Sequence, residues 1–198
     1  MIDSGQLGQV VGVEANFSTD VGAREARQDW RFRPGECPGG PLIQLGIHHA
    51  DTLQYLCGPV YGVFGLQCCV GLAKPVAATV SLLEFESGVM GHLTSHDMTA
   101  SAYTIRVMPT AANVRYDRSW GLEISQDTRE RSAWSAIEVK DSDPLLEEVS
   151  EFAEYIRSGG RPKVVGEEGT TALALVLAAT ESARLGKMVV IRELLNQA

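Results

Sequence analysis

The segment from Gly39 to Gly58 constrains the fold of this chain more than any other. It begins with the turn sequence Gly39-Gly40-Pro41 and ends at Gly58-Pro59. Glycine frees the backbone and proline fixes φ near its helical value, so this beginning predicts a helix start. Gly58 predicts the corresponding stop. At about 100° per residue, most apolar residues between these points fill one broad arc, which predicts a buried-side helix from Pro41 to about Leu56.

The part of this helix outside the apolar arc is a polar sector. It holds an amide, an imidazole, a carboxylate and a phenol: Gln44, His48, Asp51 and Tyr55. Polar stripes are most often solvated surface, but surface helices usually carry Lys and Glu, which are missing here. The groups present donate and accept hydrogen bonds near neutral pH. We therefore interpret this sector as a candidate active-site wall, with a solvated helix face as the alternative.

The two neighbouring histidines of this helix have different expected roles. His49 falls inside the apolar arc, which predicts a hydrogen-bonded core histidine. His48 falls in the polar sector and is the candidate for chemistry.

Composition and charge limit the class of protein. With 198 residues, 44% hydrophobic and 21% charged, the chain is expected to form one globular domain spanning residues 1–198. The net charge of −8 argues against nucleic acid as a partner. No stretch approaches the roughly 20 apolar residues of a membrane helix. The first residues match neither a signal peptide nor a lipidation motif, which predicts a cytoplasmic protein.

Cysteine spacing gives no sign of a metal or disulfide framework. The four cysteines are Cys37, Cys57, Cys68 and Cys69, and they form neither a CxxC nor a Cys/His zinc pattern. Cys68 and Cys69 are adjacent in an apparent strand, so their side chains are expected to face opposite ways. Free thiols in a reducing cytoplasm are the expected state.

Strand patterns dominate the middle of the chain. The ranges predicted as strands are 9–19, 60–72, 77–86, 89–96 and 103–108, with weaker ones at 112–116, 122–125 and 136–139. Short turns between successive strands indicate antiparallel hairpins rather than βαβ crossovers. Helices are predicted from Pro144, capped by Asp143, to about Ser158, and from Gly169 to Leu185, followed by a short strand over 188–191. The fold class is therefore α+β: a mainly antiparallel open β-sheet with helices packed on one face.

The sequence lacks the glycine-rich loop of dinucleotide-binding proteins, and it contains two weaker candidate sites. Gly5, Gly8 and Gly12 lack the GxGxxG spacing and precede a strand, so the chain shows no cofactor-binding loop of its own. His92 and His96 lie four apart on a predicted strand and could join His48 in a metal site, although a surface pair is the simpler interpretation. The stretch from Trp30 to Pro34 could reach over a ligand, with Arg31 as a donor. Its alternative is an Arg-rich surface loop.

The motif around the central helix resembles a known family. Gly39-Gly40-Pro41-Leu42-Ile43-Gln44-Leu45-Gly46-Ile47-His48-His49-Ala50-Asp51 is similar to the helix motif of the glucose-fructose oxidoreductase / inositol dehydrogenase (Gfo/Idh/MocA) family. In that family, a Gly-Gly turn leads into Asp-x-x-x-His-x-x-Asp. The segments 2–10, 85–91, 152–159 and 169–190 also resemble this family's domain entry, central hairpin and closing helices. The resemblance spans nearly the whole chain.

The resemblance implies a function. Members of the family join an N-terminal Rossmann domain, which binds NAD or NADP, to an α+β domain that binds substrate and forms a homodimer through its sheet. This chain resembles the second half only. By resemblance, His48 is the acid/base that handles the substrate hydroxyl proton, and Gln44 stands where an Asp usually orients it. Asp51, Tyr55, Trp30 and Arg31 are then candidates for binding a sugar, a polyol or a related hydroxy compound.

Three functions follow as competing hypotheses. The first is the substrate-binding half of an NAD(P)-dependent oxidoreductase acting on a CH–OH group. The second is a non-catalytic ligand-binding or assembly module that keeps the fold, which Gln44 in place of Asp favours slightly. The third is a metal-dependent enzyme that uses His48, His92 and His96.

Overall fold

The computed structural model describes residues 1–24, 30–33, 35–70, 74–126 and 133–196. The strands are β1 (Val10–Ser18), β2 (Val60–Val70), β3 (Lys74–Phe85), β4 (Met90–His96), β5 (Ala102–Pro109), β6 (Asn113–Asp117), β7 (Gly121–Ser125), β8 (Ser135–Ala136) and β9 (Val189–Val190). The α-helices are α1 (Val21–Arg24), α2 (Ile47–Cys57), α3 (Pro144–Ser158), α4 (Gly166–Leu185) and α5 (Ile191–Leu195). A 3₁₀ turn covers Trp30–Phe32, and a π-helical turn covers Leu42–Gly46.

All nine of these strands form one open sheet in the order β8-β7-β6-β5-β1-β4-β3-β2-β9. Every neighbouring pair is antiparallel except β1 and β4, which run parallel in the middle of the sheet. Hairpins on either side of this parallel pair join successive strands, as the short turns predict. The α+β class and the mainly antiparallel sheet are confirmed.

One face of the sheet carries the hydrophobic core. Helices α2 and α4 cover this face, and Leu53 of α2 and Leu175 of α4 are fully buried against it. The core residues contributed by the strands include Val13, Ala15, Val63, Leu83, Phe85 and Leu93. Because side chains alternate along a strand, the intervening residues point to the opposite face. That face is open, and Leu66, Leu82 and Met90 are exposed on it.

The close approach of α4 to the sheet depends on one glycine. A Cβ on Gly65 of β2 would lie 2.1 Å from the carbonyl oxygen of Ala179. The backbone amide of Gly65 donates a hydrogen bond to the hydroxyl of Ser182 in α4 at 2.9 Å. Helix α4 can therefore sit directly on the strand backbone.

The two long C-terminal helices begin as the sequence predicts, or slightly earlier. The Asp143 carboxylate accepts hydrogen bonds from the amides of Leu145 and Leu146, which caps α3. Helix α4 starts at Gly166 rather than Gly169, because the carboxylate of Glu168 accepts a hydrogen bond from the amide of Val165 at 2.9 Å. Glu168 therefore has a structural role at the start of this helix.

The end of the chain differs from the sequence-based expectation. A strand over residues 188–191 is predicted, but only Val189 and Val190 pair with β2, and Ile191 then begins the short helix α5. Ile191 is buried in the core, so a tertiary contact stabilises this turn. In the described part of the chain, no helix combines the length and the apolar character needed to cross a membrane.

Candidate functional site

The central helix begins with a tightly packed turn. Gly39 and Gly40 both have positive φ, at 78° and 53°. A Cβ on Gly40 would lie 2.8 Å from the Cβ of Val76, and one on Gly39 would lie 2.8 Å from Oγ1 of Thr180. Glycine is required here both for the left-handed backbone and for close contact with β3 and α4. This turn fixes where the helix begins relative to the sheet.

A π-helical turn separates Gln44 from the rest of the polar sector. The residues Leu42–Gly46 are π-helical, and regular α-helix begins only at Ile47. A π turn holds more residues than an α turn, so the 100° step used for the helical wheel does not apply across it. Gln44 is half-buried, and its Nε2 donates to Sγ of Cys37 at 3.0 Å. The structure therefore directs Gln44 towards the Cys37 turn.

His48 and Asp51 lie together in an open cleft of about 940 Å³. Helix α2 provides one wall, and the beginnings of α3 and α4 provide another. The lining residues are Phe17, Ile47, His48, Asp51, Thr52, Tyr103, Arg118, Pro144, Glu148, Val164, Gly169 and Ala172. The His48 side chain is exposed, so a ligand in this cleft can reach its imidazole.

Aromatic rings form the floor of the His48 cleft. Phe17, near the end of β1, pairs in register with Tyr103 of β5, and their ring centroids are 4.8 Å apart in an edge-to-face arrangement. The Phe17 ring is also 6.1 Å from the imidazole of His48. Edge-to-face packing is a preferred arrangement of aromatic rings. The floor of the cleft is therefore aromatic, and it lies beside an accessible imidazole.

His49 lies beneath that floor and is fully buried. Its ring is 4.5 Å from the Tyr103 ring, and its Nε2 lies 3.3 Å from the carbonyl oxygen of Asn16. A carbonyl can only accept, so Nε2 carries the proton and donates it. Burial lowers the pKa of His49 to about 4, although the Asn16 hydrogen bond raises it, and nearby His48 lowers it further. The structure thus agrees with a neutral core histidine.

Charged groups surround the open side of the cleft. Asp51 and Glu148 contribute carboxylates, and Arg118 contributes a guanidinium whose Cζ lies 5.3 Å from the centroid of the Tyr103 ring. This is cation–π geometry. Within the described residues, Arg118 forms no ion pair, so its donors are available to a ligand. Such a mixture of donors, acceptors and aromatic surface suits a hydroxylated small molecule.

The structure places the remaining predicted site residues elsewhere. Tyr55 is 85% exposed and lies beside Asp51 in a neighbouring groove with Lys163 and Val164. The Arg31 guanidinium stacks over the ring of Trp30 at 4.8 Å, and Arg31 lines a small cavity at the Gly39–Gly40 turn. Trp30 and Arg31 are thus not brought into the His48 cleft. Pro34, at the end of the same predicted loop site, lies outside the described residues.

The sheet separates the three histidines of the proposed metal site. His92 alternates with the buried Leu93 on β4 and therefore points to the open face. His96 shares that face, whereas His48 lies on the helix-covered side. Within the described ranges, no group of three or more His, Cys, Asp or Glu side chains could hold a metal ion. The metal hypothesis built on these three histidines is wrong.

All four cysteines carry free thiols, and their exposure differs. Cys37 and Cys57 are buried, and burial raises the pKa of Cys57 to about 11. Cys68 and Cys69 are both exposed, and the pairing of β2 with β3 shifts register between Cys68 and Val70.

The residues present do not fit a nicotinamide nucleotide. A dinucleotide cradle requires a glycine-rich turn directly between a strand and a helix. Among the described residues, β1 leads through Thr19 and Asp20 into α1, which has only four residues. The Gly39–Gly40 turn follows a loop instead of a strand. A cofactor would therefore have to be held outside this part of the chain.

Sequence reasoning did not assign Phe17, Tyr103, Arg118 or Glu148 to the cleft, although their aromatic and charged side chains line it. They come from β1, β5, the turn after β6 and α3, and only strand pairing and helix packing bring them together. The alternation within β1 indicates which face Phe17 occupies, but no signal in the sequence pairs it with Tyr103.

Comparison with known proteins identifies relatives of the chain. The model of the GFO/IDH/MocA C-terminal domain matches residues 1–129. The chain is 28% identical over 171 residues to myo-inositol 2-dehydrogenase of Thermotoga maritima, covering 80% of this chain and 51% of the relative. It is 24% identical over 190 residues to D-xylose 1-dehydrogenase (NADP(+)) 2 of Haloferax volcanii, covering 93% of this chain and 57% of the relative.

A solved structure shares the fold throughout. It is a crystal structure from Desulfitobacterium hafniense assigned as an NADPH-dependent oxidoreductase, with a TM-score of 0.91 and 33% identity. The match covers 98% of this chain and 60% of that one. The chain thus spans between about half and three fifths of the length of these relatives.

Proposed function

Because the chain belongs to the GFO/IDH/MocA family, whose C-terminal domain it matches, we propose that it is the substrate-binding domain of an NAD(P)-dependent oxidoreductase. The substrate is a sugar, a polyol or a related hydroxy compound that reacts at a CH–OH group. One observation carries the proposal: an accessible imidazole, His48, stands above an aromatic floor in a cleft rimmed by Asp51, Arg118 and Glu148. The sugar and polyol dehydrogenases among its relatives support the substrate class.

In this proposal His48 is the acid/base. Oxidation of a carbinol releases a proton from oxygen and a hydride from carbon, and imidazole is the side chain most often used for such a proton near neutral pH. His48 takes the hydroxyl proton during oxidation and returns it during reduction. The hydride chemistry would be supplied by a nicotinamide nucleotide held outside the described residues. The backbone of α2, anchored by the Gly39–Gly40 turn, sets the position of the imidazole.

The remaining groups of the cleft bind and orient the substrate. Asp51 and Glu148 accept hydrogen bonds from hydroxyl groups, and Arg118 donates to hydroxyl or carbonyl oxygens. The rings of Phe17 and Tyr103 support the apolar face of a sugar ring. Gln44, which contacts Cys37, acts as a positioning residue for the start of the helix. Tyr55 extends the binding surface beyond Asp51, while Trp30 and Arg31 remain candidates for a more distant contact.

We further propose that the protein is a homodimer formed through the open face of the sheet. Leu66, Leu82 and Met90 are each more than half exposed on that face, and two copies could cover them. The four free thiols suit a reducing compartment, so we place the protein in the cytoplasm.

The test uses the polypeptide produced from its complete gene. It is assayed for oxidation of a panel of polyols and aldoses, including myo-inositol and D-xylose, with NAD⁺ and NADP⁺ each supplied. His48→Ala should lower kcat by about 10²–10⁴-fold, whereas His96→Ala, which removes a histidine on the opposite face, should retain it. Near-wild-type turnover in His48→Ala would exclude the acid/base role. Tight sugar binding without any NAD(P)-linked turnover would favour the non-catalytic module, for which Gln44 in place of Asp is the supporting observation.

A further inference from the structure

Arg118 is a cation without an acidic partner in the His48 cleft. Among the described residues that line this cleft, it is the one arginine or lysine. Asp51 and Glu148 line the same cleft, but neither carboxylate forms an ion pair with Arg118 within the described residues. The guanidinium instead lies over the Tyr103 ring, with Cζ 5.3 Å from the ring centroid. Its charge is therefore available to an anionic group on a ligand.

The backbone around Arg118 is held by hydrogen bonds on both sides. The amide of Arg118 donates to the carbonyl oxygen of Tyr103 at 3.2 Å, which continues the pairing of β5 with β6 beyond the end of β6. The next amide, that of Ser119, donates to Oδ1 of Asp117 at 2.7 Å. A ligand therefore does not have to order this segment when it binds. Less ordering on binding leaves more of the interaction energy as affinity.

The contact with Tyr103 leaves donors of the Arg118 guanidinium accessible. A guanidinium carries five N–H donors in one plane, and the tyrosine ring contacts it from one side only. This planar fork matches a carboxylate, which it can bind through two parallel charge-assisted hydrogen bonds. A neutral hydroxyl group forms a single, weaker hydrogen bond. The chemistry of Arg118 therefore suits a carboxylate better than a hydroxyl group.

The two rings of the cleft floor place Arg118 beside His48. Phe17 and Tyr103 pair in register on β1 and β5, and their ring centroids are 4.8 Å apart. The His48 imidazole is 6.1 Å from the first ring, and the Arg118 guanidinium is 5.3 Å from the second. One small molecule lying across both rings can therefore present a carbinol to the imidazole and a carboxylate to the guanidinium.

Asp51 and Glu148 limit the charge that such a molecule can carry. The cleft lining has these two carboxylates and a single guanidinium. A monoanion can place its charge at Arg118 and its hydroxyl groups at the carboxylates, which accept hydrogen bonds. A second negative charge, such as that of a phosphate monoester, would be repelled by the carboxylates. The lining therefore favours a monoanion.

We propose that Arg118 is a specificity-determining residue that binds the carboxylate of the substrate, and that the substrate is a polyhydroxylated monocarboxylic acid, an aldonate or a uronate. This inference rests on the proposed function and narrows its substrate class. The carboxylate itself forms and breaks no covalent bond. It holds the acid in one orientation across the floor, so that the reacting carbinol lies at His48.

The experiment compares matched acids and neutral compounds on the protein made from its complete gene. The pairs are D-glucuronate with D-glucose, D-galacturonate with D-galactose, and D-gluconate with D-glucitol, each assayed with NAD⁺ and NADP⁺. We expect at least one acid to exceed its neutral counterpart in kcat/KM by about tenfold or more, the effect of one hydrogen-bonded contact to a charged group. A phosphate monoester of glucose should be a poorer substrate than D-glucuronate.

Variants test whether this preference belongs to Arg118. Arg118→Gln keeps a hydrogen-bond donor but removes the charge, and it should lower the acid-to-neutral ratio of kcat/KM by about tenfold or more. Arg118→Lys keeps the charge without the planar fork, so part of the preference should return. The control is Arg192→Gln on α5, which follows the strand at the opposite edge of the sheet and should leave the ratio unchanged.

Binding without a nucleotide provides a second readout. Isothermal titration calorimetry should show that the Kd of the preferred acid rises by about tenfold or more in Arg118→Gln and is unchanged in Arg192→Gln. Circular dichroism checks that each variant is folded. If the variants at position 118 do not fold, the acid-to-neutral ratio of the wild-type protein decides.

The outcomes separate the substrate class from the proposed function. Neutral compounds turned over as well as their matched acids, or a ratio that Arg118→Gln leaves unchanged, would overturn the carboxylate assignment and leave the proposed function intact. Failure of every acid to bind would overturn the assignment as well. Binding of an acid that depends on Arg118, without NAD(P)-linked turnover of any compound, would instead contradict the proposed function and support the carboxylate site.

Discussion

The imidazole of His49 packs edge-to-face against the ring of Tyr103, with centroids 4.5 Å apart. This contact joins a buried neutral histidine to the floor of the cleft that His48 lines. Nε2 of His49 donates to the carbonyl oxygen of Asn16, whereas its buried Nδ1 has no hydrogen-bond partner in the described structure. Protonation at Nδ1 would place a cation without a partner under the aromatic floor.

Stability should therefore fall as the pH drops below neutrality. Burial lowers the pKa of His49 to about 4 in the folded chain, from 6.5. The unfolded chain takes up the proton first, so this contribution is present above pH 6.5 and is lost progressively between 6.5 and 4. From pH 7 to pH 5.5 we expect a loss of about 1 kcal/mol in the free energy of unfolding. Urea denaturation at both pH values measures it.

The control for this effect is His49→Gln, which keeps a donor for the Asn16 carbonyl and cannot titrate. This variant should be less stable at neutral pH but should lose about 1 kcal/mol less between the two pH values than the wild-type chain. An equal loss in both proteins would assign the pH dependence to other groups.

Local sequence signals predict the boundaries of the helices well. The Gly39–Gly40 turn, the Asp143 cap and the Gly58 stop each depend on the residues next to them, and each is present in the structure. The α+β class follows from the same kind of signal, because short turns between alternating strands leave few ways to arrange them. These features can be predicted without knowing which distant segments come into contact.

The cleft is less predictable because it depends on contacts between distant segments. The π turn at Leu42–Gly46 changes the angular step, so Gln44 faces Cys37 even though the helical wheel groups it with His48. Phe17 and Tyr103 meet only because β1 and β5 pair in one particular register. Arg118 and Glu148 join them through a turn and a helix that follow much later in the chain.

Replacing Gly40 with alanine should destabilise the chain more than the same replacement at Gly186, which shares the positive φ but has no atoms close to the Cβ position. Both Gly40 and Gly186 have positive φ, at 53° and 66°, but a Cβ at position 186 would meet nothing within 4 Å. Gly186→Ala should cost about 1–2 kcal/mol for the left-handed backbone. Gly40→Ala adds contact with Val76 and should cost roughly 1–3 kcal/mol more. Thermal and urea denaturation measure the difference, and equal losses would contradict the close packing at Val76.

The cysteines should divide into two reactive and two protected thiols. Cys68 and Cys69 are exposed, whereas Cys37 and Cys57 are buried, and burial raises the pKa of Cys57 to about 11. The thiolate is the reactive form, so iodoacetamide should modify only the first pair in the folded chain and all four thiols after unfolding. Intact mass and peptide mapping count the adducts. Rapid modification of Cys57 before unfolding would show that the end of α2 is open in solution.

The orientation of Gln44 makes a prediction about the family motif itself. Restoring the family's carboxylate with Gln44→Asp should leave kcat/KM of the full-length protein within about threefold of wild type. The reason is that the π turn directs position 44 towards Cys37, where a carboxylate neither faces the substrate nor tunes the imidazole of His48. Gln44→Leu should behave in the same way in the assay. Both variants should be less stable by about 0.5–1.5 kcal/mol, because each removes the hydrogen bond to Sγ.

The pH profile of turnover distinguishes a positioning role from direct participation by Gln44. If Gln44 only positions the helix start, the profiles of wild type and Gln44→Asp should superimpose. A displaced acidic limb, or an increase in kcat for Gln44→Asp but not for Gln44→Leu, would mean that the introduced carboxylate couples to His48. The side chain at position 44 would then have to turn into the cleft when substrate binds, against the 3.0 Å contact with Cys37 that the free chain makes. His48→Ala, assayed in parallel, gives the turnover that remains without the imidazole, which we expect to be about 10²–10⁴-fold below wild type.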